Sequence, residues 1–292
     1  MDLSKLTIGT AQFGLDYGIA NRGGKVSFEE IQKILDFALE EGINSLDTAI
    51  AYGDSETRLG LAGVKNWNIV SKLPSVPDSC PNIGAWVKDS VEGSLDRLKV
   101  DSISGLLLHR PDELNSEIGE ELYESLEHVR SLGMVSQLGI SIYAPDELKC
   151  LKRYQNLNII QSPLNIIDRR ILAQEVIELA GVENLQIHTR SAFLQGLLLM
   201  DPAQRPTKFS KWQQLWSAFD KFIDESGLTR LEVCIRYVLA VEAVSKVIVG
   251  LDSLNQLKEI CDSASGELPE IPMELISNDP VLINPALWST IE

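Results

Sequence analysis

Eight short apolar runs recur along the chain, at 6–9, 45–48, 69–72, 105–109, 137–141, 159–162, 186–189 and 246–250, and longer amphipathic runs separate them. The longer runs include 28–41, 85–98, 117–132 and 231–241. Strand-to-helix alternation repeated eight times predicts an α/β fold of one type: a (β/α)8 TIM barrel, with parallel strands closed on themselves and helices outside. The length of 292 residues fits one such barrel, which typically takes about 250. No composition break marks a linker, so 1–292 is read as a single domain, with an irregular, Pro-rich extension from about 266 to 292.

Helix punctuation fixes the register. Ser27 stands before Phe28-Glu29-Glu30, where it predicts an N-cap with Glu30 completing a capping box. Gly42 and Gly133 follow helical runs as stops. Residues 201–210, rich in Pro, Gln and charge, read as a loop leading into a helix over 211–226. On it Trp212 and Trp216 lie four apart, a spacing that predicts core or lid packing.

Charge and cysteine usage bound the function. Asp plus Glu number 42 against 26 Lys plus Arg, a net charge of −16, which argues against nucleic acid or an anionic membrane as partner. An anionic cofactor stays possible, because a local basic pocket or a helix N-terminus can hold a phosphate. Cys80, Cys150, Cys234 and Cys261 are scattered, and the three histidines lack ligand spacing, so neither a disulfide framework nor a metal site is expected. The opening MDLSKLTIGT has no basic stretch followed by an apolar core, and no run of about 18 apolar residues occurs. A cytoplasmic location is expected, and the oligomeric state is left open.

In a parallel barrel the residues that end the strands face one shared mouth. The second strand ends in Asp47 with Tyr52 shortly after, the third in Lys72 and the fourth in His109. A free phenol is a poor acid at neutral pH. An ammonium beside it favours the phenolate, and a carboxylate beside the ammonium keeps that charge in place. A histidine can orient a substrate oxygen. Together these groups suit general acid catalysis on a carbonyl as it becomes an alkoxide. No GxSxG elbow offers a hydrolase alternative.

Ordered segments throughout the chain resemble the aldo-keto reductase superfamily: LTIGTAQFG from Leu6 to Gly14, GINSLDTA from Gly42 to Ala49 with Tyr52-Gly53, Ser71-Lys72, and Leu107-Leu108-His109. Further on come Leu138-Gly139-Ile140-Ser141, Gln161 with Asn165, and Gly250 with Ser253, Gln256 and Leu257. The resemblance implies Tyr52 as acid/base, Asp47 and Lys72 as its tuning pair, and His109 as orienter. It also implies an extended nicotinamide cofactor without a GxGxxG fingerprint. Gly9, Thr10, Ala11, Asp47, Ser141, Gln161, Arg190, Ser191, Gly250, Ser253 and Gln256 are its implied contacts. Of these, Ser141 and Gln161 would hold the carboxamide, and 250–256 the adenosine phosphate end. NADP is favoured over NAD by the resemblance alone.

Three positions depart from the family pattern. Ile142 stands where Asn is common, Arg190 stands where many members place a ring-stacking Tyr, and Leu251, Asp252, Asn255 and Gln256 replace the basic residues that often hold a 2′-phosphate. Asp252 would repel such a phosphate if it faced the site. The substrate is expected to be a small carbonyl or alcohol, a sugar or an aldehyde. Two other functions share this frame: a cofactor-binding regulatory barrel with little turnover, and a Schiff-base lyase on Lys72, which would need that lysine neutral.

Overall fold

Each apolar run forms a strand in the computed structural model, which describes residues 3–21 and 23–291. The strands are β1 (Leu6–Gly9), β2 (Ser45–Asp47), β3 (Asn68–Leu73), β4 (Ile103–Leu108), β5 (Val135–Ser141), β6 (Leu157–Pro163), β7 (Gln186–Arg190) and β8 (Val244–Gly250). All pair in parallel in chain order, and β8 returns to β1 with Leu6 opposite Val247 and Gly9 opposite Gly250. The barrel is therefore closed and has no free edge.

The helices are α1 (Ala11–Gly14), α2 (Phe28–Glu40), α3 (Ser55–Ala62), α4 (Ile83–Leu98), α5 (Gly119–Ser131), α6 (Gln174–Val182), α7 (Gln213–Ser226), α8 (Arg230–Ala240), α9 (Leu254–Ser263) and α10 (Pro280–Ile283). They form because apolar residues fall at helical spacing on one face. In α2 the buried set is Ile31, Ile34, Leu35 and Ala38. Burying each large branched side chain contributes about 1.5–3 kcal/mol, which outweighs the weak propensity of β-branched residues for helix. Between β5 and β6 the crossover is a 3-10 segment, Pro145–Lys152, opened by Pro145.

Two local expectations change. Ser27 Oγ accepts from the Glu30 N–H as expected, but Glu30 does not turn back to close a box. Its carboxylate instead accepts from the Leu254 N–H at 2.7 Å, at the start of α9. A tertiary donor has displaced the local one. His109 stands one residue beyond β4, though its N–H still donates to Leu73 O at 3.1 Å and extends the ladder.

The expected helix over 211–226 begins at Gln213, after a 3-10 turn spanning Thr207–Trp212. Trp216 is buried, with its Nε1 donating to Phe209 O at 2.9 Å. Trp212 donates to Asp279 Oδ2 at 3.0 Å and so ties the tail to α7. The tail is irregular apart from α10 and two 3-10 turns, yet Leu275, Leu282, Ile283 and Trp288 are buried. Among the described residues no helix is long and apolar enough to cross a membrane.

Candidate active site

The strand ends open on one cavity of ≈ 520 Å³. The first four strands contribute Gly9 at the end of β1 with Thr10 and Ala11 after it, Asp47 at the end of β2 with Tyr52 beyond, Lys72 from β3 and His109 after β4. The last four contribute Ser141, Gln161, Arg190 with Ser191, and Gly250, and Gln256 enters from α9. Ser253 alone of the expected contacts is not in the lining. Its Oγ accepts from the Gln256 N–H and caps α9.

The centre of the site is a buried ion pair. Lys72 Nζ lies 2.5 Å from Asp47 Oδ1, and both side chains are almost wholly enclosed. The ammonium also donates to Thr48 O at 2.9 Å. Asp47 Oδ2 accepts from Gln161 Nε2 at 2.6 Å. Burial is the largest single effect and pushes the Lys72 amine down, but the Asp47 charge, Tyr52 and the hydrogen bond to Asp47 together outweigh it, and the lysine rises above its ordinary value. Lys72 is thus held as an ammonium, which disfavours a Schiff-base role because that chemistry needs the free amine.

Tyr52 sits over this pair, with Lys72 Nζ 5.2 Å from its ring centroid and the His109 ring edge-on at 6.2 Å between centroids. A tight turn holds it there. An added Cβ on Gly14 would come within 1.9 Å of Tyr52 O, and Gly53 has φ +56°. Only glycine fits both positions without moving the tyrosine. Thr10 supports the same turn: its hydroxyl donates to Asp47 O and accepts from Ser55 Oγ, each at 3.0 Å. Behind β3, the buried Glu56 carboxylate accepts from Ser71, Ser94 and Arg97, locking α3 and α4 onto the strand that carries Lys72.

His109 is lowered to about 4, first by burial and then by the Lys72 and Arg190 charges. It is neutral at physiological pH and holds one N–H to donate. His188 on β7 is lowered to about 4 by burial as well. Both are therefore neutral in the fold at pH values where an unfolded histidine, near 6.5, has gained a proton. Their contribution to stability is complete above pH 6.5 and is lost as pH falls toward 4. The thermal midpoint is expected to drop across that window, and His188→Gln to flatten the drop. An equal slope in the variant would show that His188 is not part of it.

The departures from the family pattern now have positions. Ile142 is buried; its N–H donates to Gln161 O and its carbonyl accepts from Arg190 Nη2 at 3.0 Å. Arg190 turns its guanidinium onto the Tyr143 ring, 4.5 Å away. Asn165 holds the turn that follows β7, donating to Ser191 O at 3.1 Å. That turn is strained, with positive φ at Ser191, Leu194 and Gln195.

Sequence reasoning missed Tyr143, Phe193, Leu231 and Glu259, all in the lining. They come from loops and helices beyond the strand ends, where no periodicity announces them. Among the described residues no group of three or more His, Cys, Asp or Glu gathers as a metal site.

Comparison with known proteins follows the same line. Residues 5–278 match the family described as Aldo/keto reductase family. The chain is 27% identical to the uncharacterized oxidoreductase YqkF of Bacillus subtilis, over 91% of this chain and 88% of that protein. It is 25% identical to a D-threo-aldose 1-dehydrogenase of Pseudomonas sp, over 89% and 92%. Among solved structures it shares its fold with an aldo-keto reductase from Bacillus halodurans in its holo form, with TM-score 0.73, 23% identity, and 91% and 88% of the two chains covered.

Proposed function

The chain belongs to the aldo/keto reductase family, and on that premise we propose that Tyr52 moves the proton as the enzyme interconverts a carbonyl and an alcohol, with Asp47, Lys72 and His109 preparing it. The enzyme is an NAD(P)-dependent oxidoreductase. The observation that carries the residue roles is the enclosed Lys72–Asp47 pair directly beneath the Tyr52 ring.

The residues fit a nicotinamide dinucleotide. The Asp47 carboxylate is acceptor-only, so Gln161 must turn its NH2 toward it. Gln161 Oε1 is then left buried without a partner, in a residue that lines the cavity. An unpaired buried acceptor is costly, and a primary amide brought beside it supplies the missing donor. Gln161, with Ser141 beside it on β5, would hold the carboxamide. When bound, the nicotinamide supplies or accepts the hydride.

The chain's own groups do the rest. In reduction the Tyr52 hydroxyl donates to the substrate oxygen as negative charge develops there. The Lys72 ammonium stabilises the phenolate left behind, in a site where low exposure strengthens the interaction. Asp47 keeps the ammonium charged. Neutral His109 donates a hydrogen bond to the same oxygen and fixes its position. In alcohol oxidation the proton moves the other way.

Relatives named for a D-threo-aldose and for 6-dehydroglucose suggest a polyhydroxylated substrate. Tyr17, Asn21 and Gln195 give the cavity polar groups suited to hydroxyls. The test is absorbance at the reduced nicotinamide band with a panel of aldoses, small aldehydes and the matching alcohols. Turnover of at least one member is expected. A chain that binds cofactor yet turns over none of them would instead favour the regulatory barrel.

A further inference from the structure

The family resemblance favours the phosphorylated dinucleotide, yet the end of the cavity beneath β8 and α9 is built for the opposite charge. Its lining carries two carboxylates, Asp252 and Glu259. The cations in the lining, among the described residues, are Lys72 and Arg190. Lys72 is committed to Asp47 on the far side of β1. Arg190 leans toward β5, onto Tyr143 and the Ile142 carbonyl, and away from β8.

Three backbone N–H groups around the start of α9 are already taken. Leu254 N–H is taken by the Glu30 carboxylate at 2.7 Å, Gln256 N–H by Ser253 Oγ at 3.3 Å, and Asp252 N–H by Gln256 Oε1 at 2.7 Å. A helix end already neutralised by a carboxylate has little positive potential left. Asp252 Oδ1 is buried and has no hydrogen-bond partner. Burial raises its carboxyl above the ordinary value, though a bond with the Gln256 side chain opposes this. A carboxylate in that position is relieved by a hydroxyl, which donates. It is penalised by a phosphate, which only accepts and repels.

We propose that Asp252, supported by Glu259 and by the carboxylate that Glu30 of α2 sets against the start of α9, selects the dinucleotide whose adenosine ribose carries free hydroxyls, making the enzyme NAD(H)-preferring. The proposal rests on the reading of this cavity as a nicotinamide dinucleotide site. Like charges at such an interface cost enough that NADH should bind at least about tenfold more tightly than NADPH at low salt. The gap should narrow as ionic strength rises, because the exposed Glu259 share is screened.

The experiment is calorimetric titration of wild type, Asp252→Asn and Glu259→Gln with NADH and NADPH at two salt concentrations. Thermal midpoints would confirm that the near-isosteric variants fold. Tighter NADH binding is expected in wild type. In Asp252→Asn, NADPH affinity should rise several-fold while NADH affinity changes little or falls. Equal or tighter NADPH binding by wild type would overturn the proposal and leave the cofactor site intact. Parallel loss of both ligands in Asp252→Asn would overturn it too, since a general packing defect does not discriminate. Failure of wild type to bind either dinucleotide would instead sink the cofactor reading on which the proposal stands.

Discussion

Lys72→Met is expected to abolish most turnover and to destabilise the fold at the same time. Lys72 is fully buried, and its ammonium is the charged partner of Asp47, whose other carboxylate oxygen accepts from the Gln161 amide. Methionine fills most of the volume but carries no charge. The phenolate formed at Tyr52 in reduction then loses its counter-charge, and kcat should fall by about 10²–10⁴. Stripping one partner from a buried ion pair leaves the other uncompensated, at a cost of about 3 kcal/mol or more. For a chain of this size that is a Tm loss of roughly 5–8 °C. Lys72→Arg should not restore activity, because a planar guanidinium does not fit where a compact ammonium donates to both Asp47 and Thr48. Wild-type Tm in Lys72→Met would show that the pair is not the enclosed unit described. Wild-type kcat would remove Lys72 from the chemistry.

Tyr52→Phe separates the chemistry from the scaffold. The ring is retained, so its contact with Lys72 and the edge-on packing of His109 persist. Only the hydroxyl is lost, and that group acts on the substrate oxygen chiefly in the transition state. kcat should therefore fall by about 10²–10⁴ while dinucleotide affinity and Tm stay near wild type. A variant that weakened cofactor binding but kept kcat would place Tyr52 in binding rather than in proton transfer.

The convergence of Asp47, Tyr52, Lys72 and His109 was legible from sequence because barrel closure forces consecutive strand ends to one mouth. Tyr143 and Phe193 were not, because they enter on loops whose course depends on long-range contacts such as Arg190 with Ile142 and Asn165 with Ser191. Ser253 lies outside the cavity lining for a chemical reason. Serine before a helix serves equally as a cap and as a phosphate contact, and here the cap takes it. Glu30 shows the same limit from the other side. The S-x-x-E spacing is a local rule, and a donor 224 residues away competes with it successfully. The tail carries α10 and two 3-10 turns, and the Trp212–Asp279 bond that anchors it joins residues 67 apart with no pattern between them.

If Tyr52 and Lys72 work as one proton-transfer unit, removing both should cost little more than removing one. The deciding measurement is kcat of the double variant Tyr52→Phe/Lys72→Met beside the two single variants, at saturating cofactor on one substrate. The account predicts that the double variant lies within about threefold of the slower single variant. Losses that multiply, so that the double variant falls by the product of the two, would contradict it and make Lys72 and Tyr52 independent contributors.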